Sequence, residues 1–309
     1  MQIYLPIAEI PVNIIAILLL GLAAGFLAGM FGIGGGFIAT PLLMFIGIPP
    51  AIAVSTSTNQ IVSASISGLL AQLRKGGVDI KMGLFLVIGG FIGSTLGIFI
   101  FKILQKTGHI DIAIPIVYVI FLGSISFTML SENIRNLAEK KYGVIWRKKP
   151  SLRLQKILTK IEELPWKTHF PKSDIRISIL VPIIISVFIG ILVALMGVGG
   201  GFLMIPAMIY ILRMPSTVVV GTSLFQIVFI ASNATFLQAV TNNSVDIVLA
   251  FLMIISSAIG AQIGTRVGYR VDADSMRLSL ALMLFCVCVK MLFVLFAEPQ
   301  SLYVIEMIK

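Results

Sequence analysis

Two glycine-rich stretches carry the residues with the clearest chemical potential. Gly32-Ile-Gly-Gly-Gly-Phe37, followed by Pro41, returns as Gly197-Val-Gly-Gly-Gly-Phe202, followed by Pro206. A glycine costs about 1 kcal/mol relative to alanine inside a helix, so three in a row break one. Gly34, Gly35 and Gly36, and likewise Gly199, Gly200 and Gly201, would then present bare backbone N–H groups. The apolar segment after each break starts there with its positive dipole end, a natural seat for an anion. The motifs lack the Lys-Ser/Thr of a nucleotide-phosphate loop and have no strand-rich domain around them, so nucleotide binding is a poor reading. The other role open to these glycines is close crossing of helices.

A second polar group follows each motif. Thr56, Ser57 and Gln60 lie in Ser55-Thr-Ser-Thr-Asn-Gln60, and Thr222, Ser223 and Gln226 in Gly221-Thr-Ser-Leu-Phe-Gln226. Such residues inside apolar segments either hydrogen-bond across helices or line a polar path. As neutral donors, they suit an anion that must be released as well as bound. Lys290 is the one charge well inside an apolar segment; it snorkels to the near interface, makes a structural pair or contacts an anion. Asp79 and Asp246 precede apolar segments and read as helix N-caps. With no carboxylate in mid-segment, the usual side-chain proton relay has no evident residues. Cys286 and Cys288 point about 200° apart on a helix, which suits neither a mutual disulfide nor a shared metal. No catalytic nucleophile with an activating base is evident, so no enzyme, resident metal or cofactor is expected.

These residues belong to a duplicated unit. Beyond the glycines, Pro49 matches Pro215, Gln60-Ile-Val62 matches Gln226-Ile-Val228, and Val78-Asp79 matches Val245-Asp246. Gly93 and Gly97 match Gly260 and Gly264, and the offset moves only from 165 to 167. An internal repeat in a membrane chain points to a transporter. The medium follows from composition: 58% hydrophobic, 12% charged, mean hydropathy +1.06, far from the soluble range. No short leader with a basic flank and a small-residue cleavage site precedes the first apolar stretch, which is expected to be retained.

Five apolar segments are expected in each half. The first half has Val12–Met30, Phe37–Ile48, Ile52–Leu73, Ile80–Leu104 and Ile112–Leu130. The second has Ile177–Met196, Phe202–Leu212, Thr217–Val240, Ile247–Tyr269 and Ser275–Ala297. The second of each set is too short to cross about 30 Å of hydrocarbon alone. Residues 1–131 form one membrane repeat, 132–175 a linker and 176–309 the other repeat. Between Glu132 and Arg176 lie twelve of the 23 Lys/Arg residues. Basic loops stay cytoplasmic, so the positive charge belongs to the linker side rather than to a nucleic-acid site. An amphipathic helix with N-cap Ser151 and apolar Leu154, Ile157, Leu158, Ile161 and Leu164 is expected in the linker, lying on the inner leaflet or on cytoplasmic loops. Counting five crossings per half places nearly all Lys and Arg on the linker side, and counting four does not. An odd count gives two inverted repeats in an all-α membrane protein of about ten segments, with both termini outside.

The paired Gly-x-Gly-Gly-Gly-Phe-x-x-x-Pro stretches, each followed by a Thr-Ser-containing segment, resemble the TauE/SafE family of sulfite exporters and anion permeases. The resemblance runs from about Ile14 to Phe296. It implies a multi-pass inner-membrane carrier for sulfite, an organosulfonate or a related anion, working by alternating access between the repeats. The expected partners are a small anion, the lipid bilayer and a coupling ion, proton or sodium. An anion channel, a permease for another small organic anion and a non-transporting assembly factor are the alternatives. Exact substrate, direction and oligomeric state are not encoded in any of these residues.

Overall fold

The computed structural model describes residues 2–31, 34, 36–142, 165–268 and 273–296. The Ser151–Leu164 stretch and Gly35 lie outside them. Each half opens with an unexpected β-hairpin: β1 (Gln2–Leu5) with β2 (Ile10–Asn13), and β3 (Lys167–Phe170) with β4 (Ile175–Ser178). Gln2 faces Asn13 and Lys167 faces Ser178, so the two registers correspond residue for residue. Both turns start at a proline, Pro6 or Pro171, and end at an acidic residue with positive φ, Glu9 at 54° and Asp174 at 49°. Four-residue strands of mixed polarity are too short to show a period, which is why they were not expected.

The helices then repeat in order. The first half carries α1 (Ile14–Phe31), α2 (Gly36–Phe45), α3 (Pro50–Arg74), α4 (Ile80–Lys106) and α5 (Ile110–Tyr142). The second carries α6 (Leu180–Met196), α7 (Gly201–Tyr210), α8 (Ser216–Leu237, continuing through one π turn, Gln238–Asn242), α9 (Ile247–Gly268) and α10 (Ala273–Phe296). Both α3 and α8 start just after an extended proline, Pro49 with ψ 138° and Pro215 with ψ 137°, since a proline's missing N–H costs nothing at a helix start.

Among the described residues, five helical stretches are long and apolar enough to cross a membrane: Ile14–Phe31, Ile80–Lys106, Ile110–Ser131, Thr217–Asn242 and Ile247–Gly268. The short helices α2 and α7 fall below that length, as their ten residues dictate. Helix α6, at 17 residues, is one residue shorter than α1, the shortest of the five. Helix α3 is long enough, but its run of Ser, Thr, Asn and Gln sets it apart from the apolar spans.

Glycine governs how the long helices pair. A Cβ on Gly260 or Gly264 would lie 2.2 Å from the Leu22 carbonyl oxygen or 1.9 Å from that of Phe26, so α1 and α9 run backbone to backbone. At the matching places a Cβ on Gly93 would lie 2.1 Å from the Val187 oxygen, joining α4 to α6. In a bilayer, helices gain nothing from hiding apolar surface, so close packing of this kind is the main source of cohesion.

Asp79 and Asp246 are the N-caps expected of them, accepting from Met82 N–H and Leu249 N–H at 3.0 Å each. Each also ties its helix to the hairpin of the other half. Ser173 Oγ lies 2.6 Å from Asp79 Oδ2, and Ile7 N–H donates to Asp246 Oδ2 at 3.0 Å. The far ends of the short helices share these corners. Leu43 and Ile48 pack with Leu5, Ile17 and Leu249, while Met208 and Leu212 pack with Phe170, Val181 and Met82.

Candidate functional site

The two glycine breaks meet in the middle of the molecule. Phe37 and Phe202, matching residues of the motifs, meet with ring centroids 5.9 Å apart and planes tilted by 38°, in one apolar cluster with Tyr118 of α5 and Leu284 of α10. A Cβ on Gly36 would fall 2.6 Å from the Gly197 carbonyl oxygen, so the breaks touch directly. Gly34, Gly197, Gly199 and Gly200 adopt φ of +84°, +64°, +75° and +68°, a region that costs other L-residues steric strain. Helices α2 and α7 both start here, at Gly36 and Gly201, so two positive helix ends converge on one place.

Two carbonyls at this centre, those of Gly197 and Met196, are already occupied. Ser57 Oγ donates to the Gly197 oxygen at 3.3 Å, and Thr40 Oγ1 reaches the same atom at 3.4 Å while lying 2.6 Å from Ser57. Tyr118 O–H donates to the Met196 carbonyl. Hydroxyls from the first half therefore cover the acceptors of the second half's break. What remains at the two helix starts is donor character, the right sign for an anion.

Of the residues anticipated here, Gly34, Gly36, Ser57, Gly199, Gly200 and Gly201 are brought to this centre. Thr56 and Thr222 are turned away from it. Their hydroxyls accept from the Asp246 N–H at 3.2 Å and the Asp79 N–H at 2.9 Å, fastening each half to the other's cap. Ser223 donates back to Val220 of its own helix at 2.9 Å. Lys290 is exposed, with Nζ 4.2 Å from the centroid of the Phe45 ring. Phe45 ends α2, about 14 Å along the axis from Gly36.

The glutamines differ sharply. Gln226 is buried and donates from Nε2 to Ser186 Oγ at 2.9 Å, leaving only Oε1 without a partner. Gln60 is 0% exposed, and neither its Nε2 nor its Oε1 finds a partner among the described residues. The repeat supplies the reason. Ser186 corresponds to Gly21, which has no side chain to offer. An unsatisfied buried amide costs about 1–3 kcal/mol, and a group kept at that cost calls for a ligand or a water.

Sequence reasoning did not single out Ile61 and Ile227, the matching pair that both glycine loops face. A Cβ on Gly34 would lie 3.3 Å from Ile61 Cγ2 and 3.8 Å from Ile227 Cγ2, and one on Gly199 would lie 2.6 Å and 3.6 Å from the same atoms. Their place in the repeated Gln-Ile-Val was the available signal. Thr40 was also missed; its position beside Pro41 corresponds to Ile205, so the duplication hid it.

A family model described as "Sulfite exporter TauE/SafE" matches residues 17–291 of this chain. "Probable membrane transporter protein YunE" of Bacillus subtilis (strain 168) is 25% identical over 284 residues, covering 89% of this chain and 96% of that protein. "Probable membrane transporter protein YjnA" of the same organism is 29% identical over 259 residues, covering 83% and 91%. "Sulfite exporter TauE/SafE family protein 6" of Arabidopsis thaliana is 34% identical over 126 residues, covering 39% and 29%. No solved structure matches the chain.

Proposed function

The chain belongs to the sulfite exporter TauE/SafE family of membrane transporters, and from that premise we propose that it is a secondary carrier of a small anion, with sulfite, an organosulfonate or a related sulfur anion as its substrate. The observation that carries this reading is Gln60: a buried amide with both ends unpartnered, one residue from the isoleucine that touches the Gly36 break. Backbone donors at Gly34–Gly36 and Gly199–Gly201 would hold the oxyanion, with Ser57, Gln60 and the free end of Gln226 as neutral partners. Thr56, Thr222 and Ser223 would support the site through the helices they fix. A neutral donor set binds an oxyanion without the tight grip of a buried ion pair, which suits a substrate that must leave on the other side.

Alternating access would come from two inverted repeats rocking about this centre. Several contacts support that arrangement. Helix α3 starts beside the β1–β2 hairpin, where Ala53 packs with Leu5. Its 25 residues, about 37 Å long, lead to a turn held by Lys172 of the β3–β4 hairpin, whose Nζ donates to Gly76 O at 2.7 Å. Helix α4 therefore starts at the β3–β4 end, whereas its counterpart α9 starts at the β1–β2 end, next to Ile7. Arg74, Lys75 and Lys81 gather at the β3–β4 end, which the charge rule places in the cytoplasm together with the linker.

The test is uptake of labelled sulfite into proteoliposomes, with sulfate, thiosulfate, taurine and a short carboxylate as competitors. Saturable uptake, blocked best by one sulfur anion, is expected. Flux that does not saturate would make the protein a channel. Folded protein that moves none of these anions would overturn the reading.

A further inference from the structure

A cavity of about 220 Å³ lies between α1, α3, α8 and α9, lined by Ala64, Gly68 and Ala71 of α3, Gly34 of the first break, Leu224 of α8 and Thr265 of α9. Its volume is below the roughly 300–1,000 Å³ that holds drug-sized ligands, and fits a small anion with its water or a compact organic one. It sits toward the last turns of α3 and the first turns of α8, hence toward the β3–β4 end.

A wall of small residues is not by itself a binding site, but a second observation points to a ligand. Ser65 is 0% exposed and its Oγ has no partner among the described residues. It shares a helix face with Gly68 and Gln72, two residues of the wall. Its oxygen lies 3.5 Å from where a Cβ on Gly34 would stand. An unpaired hydroxyl therefore lies beside the glycine that lines the cavity.

The repeat adds a third observation, because the matching space in the other half is full. Ala64 corresponds to Ile230, Gly68 to Ala234, Ala71 to Leu237, Thr265 to Ile98 and Gly268 to Phe101. Ile98, Ala194, Ala234 and Leu237 pack together into an apolar cluster. Gln72 corresponds to Gln238, which is buried, donates to the Ala194 carbonyl at 3.3 Å and accepts from Asn242 Nδ2 at 2.6 Å. The same backbone arrangement thus carries an open chamber in one half and a packed wall in the other.

We propose that this chamber, with Gly34 at its inner end and Ser65 behind that glycine, is the vestibule that receives the anion from the β3–β4 face, and that the bulk of Ile98 and Leu237 keeps its twin closed. The proposal rests on the carrier reading and adds to it the residues and the face by which the substrate enters. The orientation preference is built into side-chain volume: swapping the two halves' conformations would have to open a wall of large side chains instead of small ones.

The test writes the second half's residues into the first. Gly68→Ala with Ala71→Leu adds bulk where a Cβ on residue 68 meets only the end of Leu224, at 3.0 Å, so the fold is expected to persist. Labelled sulfite uptake should then fall roughly tenfold or more, since a few methylene groups in a snug pocket shift occupancy by that order. Normal uptake by this variant, beside active unaltered protein, would overturn the chamber and leave the carrier standing. No uptake by the unaltered protein would remove both. A second measurement is independent of flux: with Cys286→Ala and Cys288→Ala in place, Ala71→Cys and a hairpin reporter, Lys172→Cys, are each exposed to a membrane-impermeant maleimide. Both should react from the same face of the membrane. Reaction of Ala71→Cys from the opposite face, or none while the reporter reacts, would refute the proposal.

Discussion

Gln60 and Gln226 stand at the same place in the two halves, one residue before matching isoleucines, and the protein uses them differently. Gln226 is tied to Ser186, and the hydroxyl of Ser186 in turn donates to the Leu86 carbonyl. Gln60 has no such partner, because Gly21 takes the serine's place. The glycine breaks show the same division. The carbonyl of Gly197 lies within reach of Ser57 and Thr40, but the residue matching Thr40 is Ile205; Ser57 and its match Ser223 both bond back to their own helices, at Val54 and Val220, and only Ser57 also reaches the other break. The two halves carry one arrangement twice; in the second copy the matching groups are mostly paired, and in the first more of them are left unsatisfied among the described residues. Unsatisfied polar atoms concentrated in one copy mark where binding energy remains to be gained.

The largest difference between the copies is expected at the breaks. Gly197→Ala would place a Cβ 2.5 Å from the Val54 carbonyl oxygen at a φ of +64°. Backbone strain of about 1–3 kcal/mol adds to overpacking of similar size, and folded protein should be largely lost in detergent melting assays. Gly34→Ala, in the first break though not at the matching position, has the same kind of strain, but its Cβ comes no nearer than 3.3 Å to any neighbour, Ile61 Cγ2, so it should melt several degrees higher than Gly197→Ala. Equal losses would mean that the second break is no more tightly held than the first.

Gln60→Leu separates function from stability. Uptake should fall by more than roughly tenfold while the melting temperature holds or rises, because the change removes an orphaned group worth about 1–3 kcal/mol. Gln226→Leu should do the reverse in stability, losing about 1 kcal/mol with its bond to Ser186. If the two variants behave alike, the division of labour between the glutamines is wrong.

Ser186→Ala sharpens the same point at smaller scale. It removes the partner of Gln226 and should cost about 1 kcal/mol, read as a shift in melting temperature. The smallest difference is expected at the caps, where the halves have stayed alike. Asp79→Ala and Asp246→Ala should each cost about 0.5–2 kcal/mol and agree with each other closely. A large gap between them would show that one hairpin contact matters far more than its twin.

Much of this was legible before any coordinates. The glycine triplets had to break helices, because no helix interior tolerates three in succession, and breaks are what the structure has at both places. Asp79 and Asp246 had to cap, being short acidic side chains directly ahead of apolar runs. Thr56 and Thr222 show the limit. Their repeated place in the chain suggested a shared site, yet each accepts a hydrogen bond from the cap of the opposite half, a contact spanning 190 residues for Thr56 and 143 for Thr222. The hairpins were hidden for another reason: four residues of mixed polarity carry no readable period, and their pairing shows only once the chain has turned back.

What the sequence determined by itself was the medium, the duplication, the positions of the breaks and the family, because each depends on composition or on order along the chain. Which of two matching residues is satisfied depends on what the opposite half places against it. No local pattern records that Gly21 stands where Ser186 does, that Ile230 fills what Ala64 leaves open, or that Phe37 meets Phe202. Those outcomes were decided only when the two halves packed together, since a hydrogen bond or a cavity is a property of at least two surfaces.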